Sequence, residues 1–168
     1  VFSATGIVSA TKFCGDGSAL TGISAGFSQD SQGNLVAGDG AGAAKDSDTC
    51  FNIMFGCNAG AALNAGDFNI FLGCKAGCSV TSGTYNIALG TNALRTSTGS
   101  NNFAIGSYAA KSLTTGSLNI FMGLYSGMNA SNGCYNVALG HSTLMNAGIG
   151  GAANCNIAIG RCAGRELT

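Results

Sequence analysis

Proline and tryptophan are both missing from this sequence, and charge is scarce: 8% of residues are Asp, Glu, Lys or Arg. That is roughly a third of the usual share. The seven basic and seven acidic residues cancel, and Lys and Arg form no cluster. A nucleic-acid surface needs concentrated Lys and Arg to displace counterions, so none is expected. A basic membrane-surface helix is equally unsupported. No apolar run approaches the ~20 residues that span a bilayer, so no membrane insertion is expected. Residues 1–10 lack the charged start and long apolar stretch of a secretory signal. Export would use a route not written in this segment.

Groups that carry chemistry are sparse too. His141 is the single histidine and Glu166 the single glutamate. Around His141 no His–carboxylate partnership can be argued, and no Gly-x-Ser-x-Gly elbow precedes a helix. No glycine-rich stretch ends in Gly-Lys-Ser/Thr, which excludes a P-loop. Asp39, Asp46 and Asp48 miss the spacing of a calcium loop. The eight cysteines (Cys14, Cys50, Cys57, Cys74, Cys78, Cys134, Cys155 and Cys162) contain no Cys-x2-Cys pair. Zinc wants tighter pairs. Neither catalysis, a metal nor a cofactor is expected. Cys57 and Cys74 share one repeat position, so stacking would bring them within disulfide range, though in-register side chains point the same way. Mostly free thiols are expected, with one bridge left open.

What the chain does have is glycine, 28 residues of it, at fixed phase. The glycines close a phrase: Asn52-Ile53-Met54-Phe55-Gly56, then copies beginning at Asn69, Asn86, Asn102, Asn119, Asn136 and Asn156. Successive Asn positions are 17, 17, 16, 17, 17 and 20 apart, and a degenerate copy starts at Asn34. Such regularity is the mark of a solenoid, one coil per repeat. The fold expected is an all-β parallel solenoid of about 17 residues per coil. Residues 1–26 read as a connector strand region, 27–50 as a lead-in coil or linker, and 51–168 as the repeat solenoid.

Period two places the residue before each Asn on one strand face with the first and third residues after it, as in Phe51, Ile53 and Phe55. The opposite face carries the Asn together with Met54, Phe71, Ala88, Ala104, Phe121, Ala138 and Ala158. Both faces are apolar apart from the Asn. The first is expected to fill its own coil. The second, which would leave Met54, Phe71 and Phe121 in water, is expected to meet copies of itself around a symmetry axis, forming a trimer interface. Asn52, Asn69, Asn86, Asn102, Asn119, Asn136 and Asn156 would stack at the strand spacing of roughly 4.8 Å and bond as a ladder. Beyond each phrase Gly, small or apolar residues recur at plus three and plus seven. A spacing of four suggests one helical turn per coil. The longer last interval places a bulging loop at 147–153.

Two stretches resemble known fibres. Ala10-Thr11-Lys12-Phe13-Cys14-Gly15-Asp16-Gly17-Ser18-Ala19-Leu20-Thr21-Gly22 resembles the "T-x-F-x-G-D-G-S-x-L-T-G" phrase of bacteriophage tail-fibre proteins, with Cys14 where an aliphatic residue is more usual. Thr98-Gly99-Ser100-Asn101-Asn102-Phe103-Ala104-Ile105-Gly106-Ser107-Tyr108-Ala109-Ala110 is similar to the "TGSNNxAIGxxAL" repeats of phage fibres and bacterial surface proteins. More distantly, it is similar to the head repeats of trimeric autotransporter adhesins, which are shorter. The resemblance implies an intertwined homotrimer of left-handed coils, in a virion tail fibre or otherwise extracellular. A phage fibre segment, serving as rigid shaft or receptor-contacting head, and a microbial adhesin or filament subunit both remain open. Contact with a host glycan or protein receptor would come from Tyr108, Tyr125 and the loop holding Ile149, since aromatic rings suit sugar stacking. Head-to-tail docking of copies into a filament is a further expectation for the ends.

Overall fold

The computed structural model describes residues 28–148 and 153–166. The connector reading of 1–26, Cys14 and Ile149 lies outside the described residues. Within them the chain is an all-β parallel solenoid of about seven turns, with one three-residue strand per turn. The strands are β1 Ser28–Gln29, β2 Leu35–Ala37, β3 Ile53–Phe55, β4 Ile70–Leu72, β5 Ile87–Leu89, β6 Phe103–Ile105, β7 Ile120–Met122, β8 Val137–Leu139 and β9 Ile157–Ile159. They form one sheet in sequence order. From β2 onward every pairing is parallel and in register, as in Ile53↔Ile70 and Phe71↔Ala88. The segment at 27–50 is thus no free linker where β2 lies, since β2 pairs with β3. β1 runs antiparallel to β2 and covers the first edge.

Sequence explains the strand's shortness. The residue before each Asn adopts a left-handed backbone (Phe51, Phe68, Tyr85, Asn101, Leu118, Tyr135 and Cys155 all near φ +55 to +61), and the phrase Gly follows near +115 to +134. These two corners clip the strand at both ends. The phrase Gly is obligatory: a Cβ on Gly73 would lie 2.8 Å from the carbonyl group of Gly90 in the next coil. A backbone approach that close has no room for a side chain.

No helix forms among the described residues. The recurrence at plus three and plus seven comes instead from two successive tight turns, each closed by a bond to the third residue back. Ala59 N–H donates to Gly56 C=O and Leu63 N–H to Gly60 C=O; Ala76 and Val80 repeat this with Gly73 and Gly77. Two turns of this kind share a helix's spacing of four without its i→i−4 bonds. Their other N–H groups bond to the adjacent coil, as Gly60 N–H does to Ala76 C=O.

The turn residues at plus three and plus seven point inward and meet the strand's inner side chain. Ala59, Leu63, Ala76, Val80, Ala109 and Leu113 are buried, and with Met54, Phe71 and Phe121 they make one core running the length of the solenoid. Met54, Phe71, Ala88, Ala104, Phe121 and Ala138 are shielded completely or almost so by their own chain, and Ala158 packs against the same core. This corrects the trimer-interface expectation for the first six; Ala158, in the last described coil, is half-buried. The turns fold back over that side of the strand, so those six side chains have no surface to offer a partner.

The Asn side chains run through the interior as a ladder. Asn69 offers both its backbone N–H and its Nδ2 to Asn52 Oδ1, at 2.8 and 3.0 Å. Asn102, Asn119, Asn136 and Asn156 do the same to the Asn before them, while Asn86 does so by its backbone N–H. Each Nδ2 from Asn52 to Asn119 also donates to a glycine carbonyl one coil on, such as Asn69 to Gly83 at 2.8 Å. A buried amide is tolerated only when satisfied in this way. At the first coil the ladder meets a carboxylate: Asn34 N–H and Nδ2 donate to Asp30, which Lys45 approaches at 3.8 Å.

Candidate interaction surface

With Asn and the next-but-one residue turned inward, the other strand side faces out. Its first column is Phe51, Phe68, Tyr85, Asn101, Leu118, Tyr135 and Cys155. The second is Ile53, Ile70, Ile87, Phe103, Ile120, Val137 and Ile157, and the third Phe55, Leu72, Leu89, Ile105, Met122, Leu139 and Ile159. No column contains a charge, and Asn101 is the one amide among them. At the strand spacing, these seven coils span roughly 29 Å, and the three columns are about 13 Å wide. Exposure is substantial: 59% for Phe51, 60% for Tyr135 and 76% for Ile157. Apolar patches of this extent mark interaction sites.

The left-handed corner aims the first column. It rotates each side chain outward, and the rings of successive coils then stack: Phe51 on Phe68 with centroids 5.2 Å apart, and Phe68 on Tyr85 at 5.1 Å with planes 3° apart. A bulky residue at positive φ is strained by about 1–2 kcal/mol. The columns of rings and aliphatic side chains offset part of that in the free chain.

Polar edges frame the face. Before the first column stand Cys50, Asp67, Thr84, Ser100, Ser117, Cys134 and Asn154, which form a second ladder. Cys50 N–H donates to Asp67 Oδ1 at 2.7 Å, Thr84 N–H to Ser100 Oγ, and Cys134 N–H to Asn154 Oδ1. Beyond the third column lie Cys57, then Cys74 with Lys75, and further along Tyr108, Tyr125 and His141. Tyr108 and Tyr125 sit together, ring centroids 5.4 Å apart, with His141 edge-on at 6.0 Å and Lys111 Nζ 5.5 Å from the Tyr108 ring. The structure thus brings together two of the three proposed receptor contacts.

The seven described cysteines are free thiols. Burial, with the nearby Asp67 and Asp48 carboxylates, pushes the Cys50 thiol above its ordinary value, which makes it a slow nucleophile at neutral pH. Among the described residues no three His, Cys, Asp or Glu side chains gather as a metal site, and no helix is long and apolar enough to cross a membrane. Comparison with protein-family profiles, with curated proteins and with solved structures finds no match.

Proposed function

We propose that the chain is a structural and adhesive segment of a trimeric extracellular fibre, whose solenoids lie side by side with their outer apolar faces turned toward one axis. The observation that carries this reading is the uncharged face itself, continuous from coil to coil. A partner that covers it must match its axial period. A second copy of the chain has that period by construction, so its rows coincide along the whole length, and burial of apolar area drives the contact. The order of three is what the resemblance to trimeric fibre repeats implies. The Gly15-Asp16-Gly17-Ser18 phrase favours a phage tail fibre. In that setting the Tyr108–Tyr125 pair, with Lys111 beside it, is the surface suited to a host glycan.

Charge supports a fibre as well. Residues 28–67 hold Asp30, Asp39, Asp46, Asp48 and Asp67 against Lys45, a net of −4. Residues 68–166 hold Lys75, Arg95, Lys111, Arg161 and Arg165 against Glu166, a net of +4. Opposite ends of two copies attract, which suits head-to-tail growth. The test is sedimentation equilibrium of the wild type beside Ile87→Asp and Leu89→Asp, both on the outer face. The wild type is expected at three chain masses and the variants at one, with unchanged β-type circular dichroism. A wild type that is monomeric at micromolar concentration overturns the proposal.

A further inference from the structure

We infer that the copies associate parallel and in register, and that Asp67 of one chain pairs with Lys75 of its neighbour. This rests on the proposed side-by-side assembly. Asp67 and Lys75 belong to one coil but stand on opposite edges of the apolar face, separated by the stretch from Phe68 to Gly73. That stretch spans roughly 16 Å, too far for the two to meet within a chain. Lys75 is exposed and takes part in no ion pair among the described residues. Asp67 uses Oδ1 for the Cys50 N–H, and the same carboxylate keeps a second oxygen.

Symmetry decides which edges meet. Rotation about an axis parallel to the solenoid leaves every atom at its height. The leading edge of each coil therefore faces the trailing edge of the same coil in the next chain. Asp67 then opposes Cys74, with Lys75 the next residue along that edge and its long side chain within reach of the carboxylate. No tier opposes like charges: Asp39 faces Gln32, and Arg161 faces Asn154. One coil earlier, Cys50 faces Cys57. An antiparallel two-fold instead sets like edge on like edge in reversed order. Lys75 then lies toward the edge carrying His141 and Arg161, and Asp67 toward that carrying Cys134 and Asn154.

The axial −4/+4 polarity alone would favour the antiparallel arrangement. Those charges are spread around the coils and exposed, and salt screens them beyond about 8 Å at physiological strength. Contact between edges is closer than that, so the edge pattern outweighs the polarity.

Charge reversal tests the pairing. Asp67→Lys and Lys75→Asp are each expected to weaken association at least ~10-fold, since every ring contains one such contact per interface. The double variant Asp67→Lys/Lys75→Asp restores it. A second arm uses glutathione disulfide: Cys50 and Cys57 of neighbouring chains lose their two thiol hydrogens and two electrons to it. One interchain S–S bond forms and two glutathione thiols leave. Reducible covalent trimers joined by Cys50–Cys57 peptides, lost in Cys50→Ser, are expected. A wild type that is monomeric defeats the side-by-side assembly itself. An oligomer that persists without rescue in the double variant, or that cross-links through Cys57–Cys162 instead, overturns the parallel register alone.

Discussion

Phe71 and Gly77 divide one slot of the core between them. A Cβ on Gly77 would lie 2.7 Å from the Phe71 ring, and Gly77 is held at φ +57. The same partition recurs six residues apart in most coils, though Ala104 with Ala110 and Ala158 with Gly164 are small on both sides. Met54 pairs with Gly60 and Phe121 with Gly127, whereas Ala88 pairs with Leu94 and Ala138 with Leu144. No coil places a large side chain on both the strand side and the turn side of this slot. Leu94 and Leu144 accept a left-handed backbone, φ 47 and 48, to do so.

The partition predicts a swap. Phe71→Ala alone should cost about 3–5 kcal/mol through the cavity it leaves. Gly77→Leu alone should be worse than neutral, since it meets the ring. Phe71→Ala/Gly77→Leu recreates the Ala88–Leu94 arrangement. It should recover most of the loss, leaving about 1–2 kcal/mol for the left-handed leucine. Thermal unfolding of the four proteins measures the coupling, and additive losses would refute the shared slot.

This partition also explains what could be read from the sequence and what could not. The period, the Asn positions and the plus-three and plus-seven residues were legible because each recurs in one chemical type. Which strand side faces inward was not, because both are apolar and Met54 looks as exposed-unfriendly as Ile53. The signal that settles it is the inverse size of residues six apart, as in Phe71 with Gly77. The left-handed Phe68 and Tyr85 were hidden for the opposite reason, since bulky residues rarely adopt that backbone. A spacing of four misled because two tight turns produce it as well as a helix does.

Asn102 tests the ladder. Its Oδ1 accepts both the Asn119 N–H and the Asn119 Nδ2, and its own Nδ2 reaches Asn86 Oδ1 and Gly116 C=O. Asn102→Ala strands two buried donors at about 1–3 kcal/mol each, so a loss of roughly 3 kcal/mol or more is expected in denaturant unfolding. Asn102→Asp keeps the acceptor but turns oxygen toward two oxygens, and it should be at least as damaging at neutral pH. A loss below about 1 kcal/mol for either variant would show that the ladder carries little.

Asp30 terminates the ladder and gives it a pH dependence. Burial opposes its ionisation, but the Asn34 backbone and side-chain donors, Lys45 and the Gln32 N–H outweigh that. Its carboxyl therefore sits below the ordinary 3.8. A depressed folded value contributes stability that is present above the unfolded pKa of about 3.9 and is lost as pH falls through the folded one. Stability is therefore expected to fall on acidification below about pH 4. Asp30→Asn can still accept the Asn34 N–H through its one amide oxygen but carries no charge, so it should lower stability at pH 7 by this component and abolish the acid dependence that goes with it. Identical acid profiles for both proteins would contradict the assignment.

Leu118 separates folding from assembly. It is exposed in the first outer column and held at φ 61, where a leucine is strained. Asn101 occupies the same column one coil earlier at φ 59. Asparagine visits that backbone readily, because its short polar side chain can bond locally. Leu118→Asn should therefore relieve up to about 1 kcal/mol of strain in the single chain, against a small loss of contact with the neighbouring coils. In the assembly it places an amide in the apolar interface, where an unpaired amide costs about 1–3 kcal/mol per chain. The expected outcome is a variant whose dissociated chain unfolds at equal or higher denaturant while its association weakens. If association were unaffected, the first column would not lie in the interface. If the single chain lost more than about 1 kcal/mol, Leu118 would be serving its own coil rather than a partner.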